Sequence, residues 1–490
     1  TISLHRELSE IKKEGINHVI LEASSHGLSQ GRLNGLNFKT GIFTKENLLN
    51  FLVLLVPLSL IIGNSAVNLN VVLICLMGLG TYGLSIFKIK KDVVTFLLCL
   101  FFLYLILITL INNIPNYPEI VTPTGNLNNS IFYKEHIIKS FLFLRFLILF
   151  LIVNKMAKNE TLNFKLFFIS TGVLSFLVAS DVFVSAIFDK KFIDQSLLLY
   201  FTGFFGDENI AGGYIQKFSL FFIFSLFLFF SISDKKKIIF IFISFLFFFA
   251  AIIVTNNRMP VVLYLTSFLF LILIEKKIRL YVILFLFLSL ILLTSIIKIF
   301  PDSTNTSRLT SFYGNAKHII RVAPELFYSG KFNENKILKN LDPTLNRFGS
   351  GHLVTFNSGV QVWKKHKIFG GGLKSFRLNC QMDYKFQVCN THPHNYLIEI
   401  LVDTGLVGLI LIYGAFTFLI INFFRNYFNN NFMKSRFLIL PFFLIFFFEI
   451  FPLRSTGSFF STSQGALLFI ILPIINNYYK NSFFIKKLHK

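Results

Sequence analysis

Residues 237–275 read KIIFIFISFLFFFAAIIVTNNRMPVVLYLTSFLFLILIE: two apolar runs parted only by Asn256-Asn257-Arg258-Met259-Pro260. A spanning helix needs about 20 mostly apolar residues. Pro260 falls in the first turn of the second run, where a helix tolerates proline. The stretch therefore predicts a helical hairpin within a membrane, with Arg258 at its tip.

The same pattern continues on both sides. Apolar stretches near 48–64, 67–87, 93–112, 137–154, 162–188, 214–233, 237–254, 260–275, 279–300, 396–421, 437–452 and 462–479 make about twelve candidate spans. Composition agrees: 54% of the 490 residues are hydrophobic, 66 are Phe, and only 14% are charged. A charged fraction roughly half the usual one excludes a soluble domain. The predicted fold class is an all-α polytopic membrane protein of about twelve helices with one long polar loop.

The net charge of +23 fits lysines and arginines marking cytoplasmic loops and facing anionic lipid. No basic stripe with interleaved aromatics lies outside those loops, so no nucleic-acid partner is expected. Lys88, Lys90 and Lys91 follow the second span, Lys155 and Lys158 the fourth, and Lys235, Lys236 and Lys237 the sixth. Lys276, Lys277 and Arg279 follow the eighth, Arg425, Lys434 and Arg436 the tenth, and Lys480, Lys486, Lys487 and Lys490 the last. Every even-numbered exit is basic, which predicts both termini in the cytoplasm and the long loop outside, in the periplasm of a bacterium. The organisation expected is 45–300 for the first nine helices, 301–395 for the loop, and 396–490 for the last three helices and a basic tail. The loops 189–213, with Gly206 to Asn209 and Gly212-Gly213, and 452–461, with Arg454, face the same side, as does Arg258.

A long water-exposed loop in such a chain is the natural place for chemistry. It closes with Thr391-His392-Pro393-His394-Asn395 and enters a helix at Tyr396. His394 is the sharpest catalytic candidate, because imidazole titrates near neutral pH and accepts a proton from a sugar hydroxyl. The rival readings are a polar helix cap, catalysis by His392, or metal binding by the pair; a spacing of two suits a metal poorly, and no acidic triad lies nearby. Arg258 is an ionisable residue at a helix mouth, a functional candidate by default, with an anionic head group as its expected partner. The rival is an arginine snorkelling to lipid phosphate. Glu399 and Asp403 lie one and two turns beyond Asn395 on one helix face, where either orients the imidazole or lines a wet helix mouth. Arg347, Lys364, Lys365, Lys367, Lys374 and Arg377 give the loop a positive face suited to a diphosphate or simply to solvent. Gly370-Gly371-Gly372 lacks the flanking strand and Lys-Ser/Thr pair of a phosphate loop and reads as a turn.

Of the four cysteines, Cys75 and Cys99 sit in apolar runs and read as small buried hydrophobes. Cys380 and Cys389 lie in the loop, where a disulfide is favoured over a zinc site for want of a Cys-x-x-Cys pair.

The first 44 residues differ. Residues 17–22 and 39–44 read as short buried strands around a turn and a helix start, a scrap of α/β sheet. Glu22-Ala23-Ser24-Ser25-His26-Gly27-Leu28, with Gln30, Arg32 and Gly41-Ile42-Phe43-Thr44, resembles the central domain of Mur ligases. The resemblance implies that Ser24, Gln30 and Arg32 match positions contacting a UDP-muramoyl substrate. No Gly-rich ATP loop accompanies it, and a piece this short buries no core of its own. Residues 1–44 are therefore expected to be a non-functional remnant or a fusion artefact, and the absent initiator Met suggests a fragment, a processed form or a mis-joined frame. His26 is not expected to be catalytic.

The run 363–376 (WKKHKIFGGGLKSF), Cys380, Cys389, His392-Pro393-His394-Asn395-Tyr396-Leu397 and Asp403-Thr404-Gly405-Leu406-Val407-Gly408 together resemble the O-antigen ligase and O-antigen polymerase superfamily, over about residues 46–479. The resemblance implies transfer of a glycan from a polyprenyl-diphosphate carrier to an acceptor hydroxyl, on lipid A-core in ligases or on another lipid-linked glycan in polymerases. It implies that His394 activates the acceptor and that Arg258 binds the diphosphate. A second diphosphate-binding group falls to His352, Arg347 or Arg377, since Gly349-Ser350-Gly351-His352 stands where an Arg is often found. Asp403 stands where the family usually carries Glu. No metal or other cofactor is implied; guanidinium charge would stabilise the leaving diphosphate. A lipid-linked glycan transporter is the rival class, but it would need polar residues deep in several spans, and these spans are nearly uniform Leu, Ile and Phe.

Overall fold

The computed structural model describes residues 44–88, 92–112, 121–122, 125–126, 129–188, 201–206, 208–230, 234–299, 352–382, 390–429, 433–452, 454–455 and 457–478. Contacts divide the chain into Thr1–Leu48 and Leu49–Lys490. The Mur-ligase-like segment 1–43 lies outside the described residues, as do Arg347, Cys389 and the loop 301–351.

The second unit is helical. Its elements are α1 (Lys45–Leu54), α2 (Val56–Ile62), α3 (Asn64–Tyr82), α4 (Val93–Asn112), α5 (Asn129–Lys158), α6 (Phe164–Phe188), α7 (Ala211–Phe229), α8 (Asp234–Val254), α9 (Arg258–Ile274), α10 (Arg279–Ile299), α11 (His352–Lys365), α12 (Ser375–Met382), α13 (Tyr396–Asn429), α14 (Met433–Glu449) and α15 (Thr462–Asn477). A two-residue hairpin pairs Val121–Thr122 with Gly125–Asn126. Each of the twelve predicted spans falls on these helices, the first on the bent pair α1–α2. Among the described residues, seven helices are long and apolar enough to cross a membrane, or eight if α1 and α2, bent by 43°, form one span. Ile238–Val254, α9 and α15 are shorter apolar helices. The chain is thus an all-α polytopic membrane protein.

In lipid, helices gain little from hydrophobic burial and associate through close packing. Phenylalanine supplies much of it. Phe442 on α14 lies against Phe167, Phe168 and Phe221, with ring centroids 5.0–5.9 Å apart. Phe285 of α10 packs on Phe245 and Phe268 at 4.9 and 5.0 Å. Where α6 and α7 cross, Gly172 permits contact with backbone: a Cβ there would lie 2.8 Å from Phe222 Cα.

The ends of the helices carry the buried charge. Tyr427, near the end of α13, donates a hydrogen bond to Glu275, just past α9, and Arg436 at the start of α14 pairs with the same carboxylate at 3.2 Å. At the opposite end of α13, Tyr396 donates to Glu449, the last residue of α14, at 3.2 Å. Helices α9 and α13 therefore run parallel, and Arg258 and His394 lie at the same end of the bundle.

Gly172→Leu should overpack the α6–α7 crossing and cost about 1–3 kcal/mol. Thermal unfolding of the detergent-solubilised protein should show a midpoint several degrees lower; an unchanged midpoint would refute the close approach.

Candidate functional site

Asn395 organises the mouth of α13. Its Oδ1 accepts a hydrogen bond from Ile398 N–H at 3.1 Å, the capping role expected of asparagine. Its amide donates to the carbonyls of Pro452 and Arg454 at 2.6 and 3.0 Å. The residue before it, His394, has a φ of 55°, a left-handed conformation uncommon outside glycine and a mark of over-determined local structure. His394 is half-buried, and its ring centroid is 4.2 Å from that of His392. The hydroxyl of Thr391 lies 3.0 Å from His392 Nδ1.

One turn further, Glu399 is buried and accepts from Ser458 Oγ at 2.5 Å and Phe459 N–H at 2.6 Å. Asp403, also buried, accepts from Lys374 N–H at 2.8 Å and Ser375 Oγ at 3.0 Å. A carboxylate on one helix thus caps the N-terminus of another, α12, where acceptors and negative charge are favoured. Lys374 Nζ closes the circle by donating to Ser458 at 3.1 Å. Both carboxylates hold neighbouring segments in place around the helix mouth.

Helix α13 is broken at Gly405, with φ 63° and ψ −166°. The carbonyls of Val402 and Asp403 accept instead from Gly371 and Gly372 N–H at 2.9 and 2.8 Å. Beyond the break, Leu406 and Val407 donate to the carbonyls of Lys367 and Ile368 at 3.0 and 3.1 Å. The glycine run is a turn, as its flanks predicted, and it completes the hydrogen bonding of the broken helix. Irregular backbone in a membrane protein persists where protein covers it in this way.

A second cluster gathers Lys217 and Glu449, which belong to no motif named above, with Arg454. Lys217 on α7 and Arg454 both reach Glu449 Oε1, at 2.7 and 2.9 Å, and Arg454 also donates to Phe448 O at 3.1 Å. All three are buried. Two cations share one carboxylate, which leaves one positive charge in excess beside Asn395 and Tyr396. The signal was present as a single Lys in AGGYIQKFSLFF and a single Glu closing FLIFFFE, and intramembrane charge of this kind is functional by default.

Arg258 is the first residue of α9, half-buried. The hairpin tip meets the segment before α7: Asn257 donates to Asn209 O at 3.2 Å, and a Cβ on Gly212 would lie 2.5 Å from Thr255 Oγ1. The hairpin tip that carries Arg258 therefore packs on the start of α7, whose Lys217 reaches Glu449; Arg454 joins the same carboxylate and its carbonyl accepts from Asn395, next to His394. Arg377 is exposed on α12. His352 opens α11. Cys380 is disulfide-bonded, and Cys75 and Cys99 are free. Among the described residues, no group of three or more His, Cys, Asp or Glu could hold a metal ion.

Comparison with known proteins gives two separate likenesses. Residues 242–413 match a family model described as O-antigen ligase, and residues 1–46 match the Mur ligase middle domain. The N-terminal stretch is 54% identical over 43 residues to the UDP-N-acetylmuramoyl-L-alanyl-D-glutamate--2,6-diaminopimelate ligase of Bradyrhizobium diazoefficiens, covering 9% of each chain. It is 51% identical over 43 residues to the Brucella melitensis protein of that name, again 9% of each. It is 55% identical over 42 residues to the Leptospira interrogans one, 9% of this chain and 8% of that protein. The chain spans less than a tenth of the length of these curated relatives. The O-antigen ligase match takes in α9, α11, α12 and the first half of α13, with both Arg258 and His394. It supports a membrane glycosyltransferase-like role in O-antigen biosynthesis.

Glu449→Leu should leave two buried cations uncompensated and cost roughly 3–5 kcal/mol. The midpoint of thermal unfolding should fall sharply, and adding Lys217→Met should recover part of the loss. A Glu449→Leu protein as stable as wild type would contradict the ion cluster.

Proposed function

We propose that this chain is an O-antigen ligase-type glycosyltransferase of the bacterial inner membrane, acting at the periplasmic face. The observation that carries the reading is His394, held in a left-handed conformation at the mouth of α13, at the same end of the bundle as Arg258, within the segment that matches the family. The donor is a polyprenyl-diphosphate-linked glycan, and the acceptor is a hydroxyl of lipid A-core.

In the reaction, His394 accepts the proton of the acceptor hydroxyl as its oxygen attacks the anomeric carbon of the donor sugar. The new C–O bond forms as the bond from that carbon to the diphosphate oxygen breaks, and the electron pair leaves with the polyprenyl diphosphate. Arg258 stabilises the charge gathering on the leaving group, since guanidinium binds phosphate oxygens bidentately. Arg347, His352 or Arg377 supplies a second diphosphate contact. Glu399 and Asp403 position the helix mouth by fixing loop 454–460 and α12.

Purified protein supplied with a labelled polyprenyl-diphosphate glycan should glycosylate lipid A-core. His394→Ala and Arg258→Ala should each lower the rate by about a hundredfold or more, with normal membrane insertion. Lengthening of the lipid-linked glycan without core would make the protein a polymerase; equal transfer by wild type and His394→Ala would remove His394 from the chemistry.

The Mur-ligase-like segment takes no part in this scheme. Deleting residues 1–43 should leave the transfer rate within about twofold of wild type, the scatter expected when no transition-state contact is removed. A transfer rate that collapses while the protein remains folded would show that the segment belongs to the enzyme.

A further inference from the structure

The turn between α11 and α12 carries a feature that the transfer chemistry does not use. Ile368 and Phe369 are 56% and 60% exposed, side by side at its tip. On the surface of a soluble loop such a pair would be unusual; here its depth explains it. The turn is tied to α4 by three hydrogen bonds: Tyr104 donates to Phe369 O at 2.7 Å, Asn112 to Gly370 O at 3.0 Å, and Leu373 N–H to Thr109 at 3.0 Å. Helix α4 has 20 residues, about 30 Å, the thickness of a bilayer's hydrocarbon core. Asn112 is the last residue of α4 and Thr109 and Tyr104 lie three and eight residues before it, so the turn runs from the level of the helix end at Gly370 to about 12 Å inside it at the residue Tyr104 reaches. On α13 the same turn meets the break at Gly405, beside the exposed Leu406.

At these positions the helices face lipid. Leu103 and Leu107 on α4 and Leu406 and Ile410 on α13 are exposed. Ile368 and Phe369 continue that band. Immediately before them stand Lys364, Lys365 and Lys367, and Trp363, whose indole donates to Lys367 O at 3.1 Å and staples the turn. An indole beside lysines is the usual composition of a membrane–water boundary. His366 adds little charge, because burial and then Lys365 push its imidazole below the usual range. The cationic character rests on the three lysines.

We propose that residues 363–369 form a re-entrant membrane anchor, with Ile368 and Phe369 among the acyl chains and Lys364, Lys365 and Lys367 holding the phosphates of anionic phospholipid. The occupant is phospholipid of the surrounding leaflet, chosen by the match between an apolar tip level with the lipid-facing band and a cationic collar above it. The geometry is independent of the transfer reaction.

Trp363 is the single tryptophan of the chain, so its fluorescence reports on this turn alone. The full chain is reconstituted in phosphatidylcholine–phosphatidylglycerol vesicles with one lipid brominated on its acyl chains. A Trp363→Phe, Phe369→Trp variant places the reporter at the tip. Brominated acyl chains should quench the tip, and aqueous iodide should not. In the wild type, brominated phosphatidylglycerol should quench Trp363 in preference to brominated phosphatidylcholine. Half-quenching concentrations should differ by about fivefold, the effect of roughly one well-placed lysine. Changing Lys364, Lys365 and Lys367 to Gln should abolish that preference. Iodide quenching of the tip with no effect of brominated chains would overturn the insertion. A phosphatidylglycerol preference that is absent, or survives the triple change, would overturn the headgroup site; this arm needs no change at the tip.

Discussion

The break at Gly405 constrains everything at this end of the molecule. A helix interrupted within a membrane leaves carbonyls and N–H groups that lipid cannot satisfy, at several kcal/mol each. The chain answers with the turn at 367–372, whose backbone supplies the four missing partners. A side chain at position 405 has no room, because a Cβ there would meet the Ile368 carbonyl and the Gly370 nitrogen. The turn in turn fixes where α11 ends and α12 begins. The polar stretch is thereby tied to α13 instead of floating above the bundle, and Val360, Val362, Phe376 and Cys380 pack with Ile398 and Val402 in a core of their own.

Charge is used in the same economical way. Each buried acid on the N-terminal part of α13 and at the end of α14 joins elements distant in sequence. Glu399 joins α13 to residues 458–459, Asp403 joins it to α12, and Glu449 joins α7 to the segment after α14. The shared consequence is a rigid rim around His394. Removing such a rim member exposes unpaired buried charge, which is why the arrangement holds a single geometry. The proposed transfer would draw on this rigidity, since small misplacement of reacting groups costs much of the rate.

The helices were legible because apolar length alone specifies them, and the Asn-Asn-Arg-Met-Pro tip located the α8–α9 hairpin. Asn395 was readable as a cap. What the sequence hid was tertiary. Glu399 and Asp403 are spaced to share a face of α13, and that spacing suggested an orienting partner for the imidazole. Their hydrogen-bond partners are Ser458, Phe459, Lys374 and Ser375, none of them foreseeable from helix periodicity. Gly405 follows Asp403-Thr404 in a helix that is apolar on either side, and helix periodicity alone does not place a break there. Lys217 and Glu449 were lost among their neighbours because a single charge barely moves the hydropathy of a long apolar run, although its rarity is the signal. Helices α11 and α12 lie in a stretch whose average polarity reads as loop and conceals two short amphipathic segments.

We propose that one end of this bundle, framed by Arg258, the Lys217–Glu449–Arg454 cluster and His394, receives the diphosphate of a lipid-linked glycan. The most direct measurement is photo-crosslinking of the full-length protein in membranes with a polyprenyl diphosphate bearing a photoreactive group beside the diphosphate, followed by peptide mapping. Attachment within 255–260, 391–396 and 452–460, competed by unlabelled polyprenyl diphosphate, is the predicted result. Competed attachment at the opposite end, around Glu275, Tyr427 and Arg436, would contradict it.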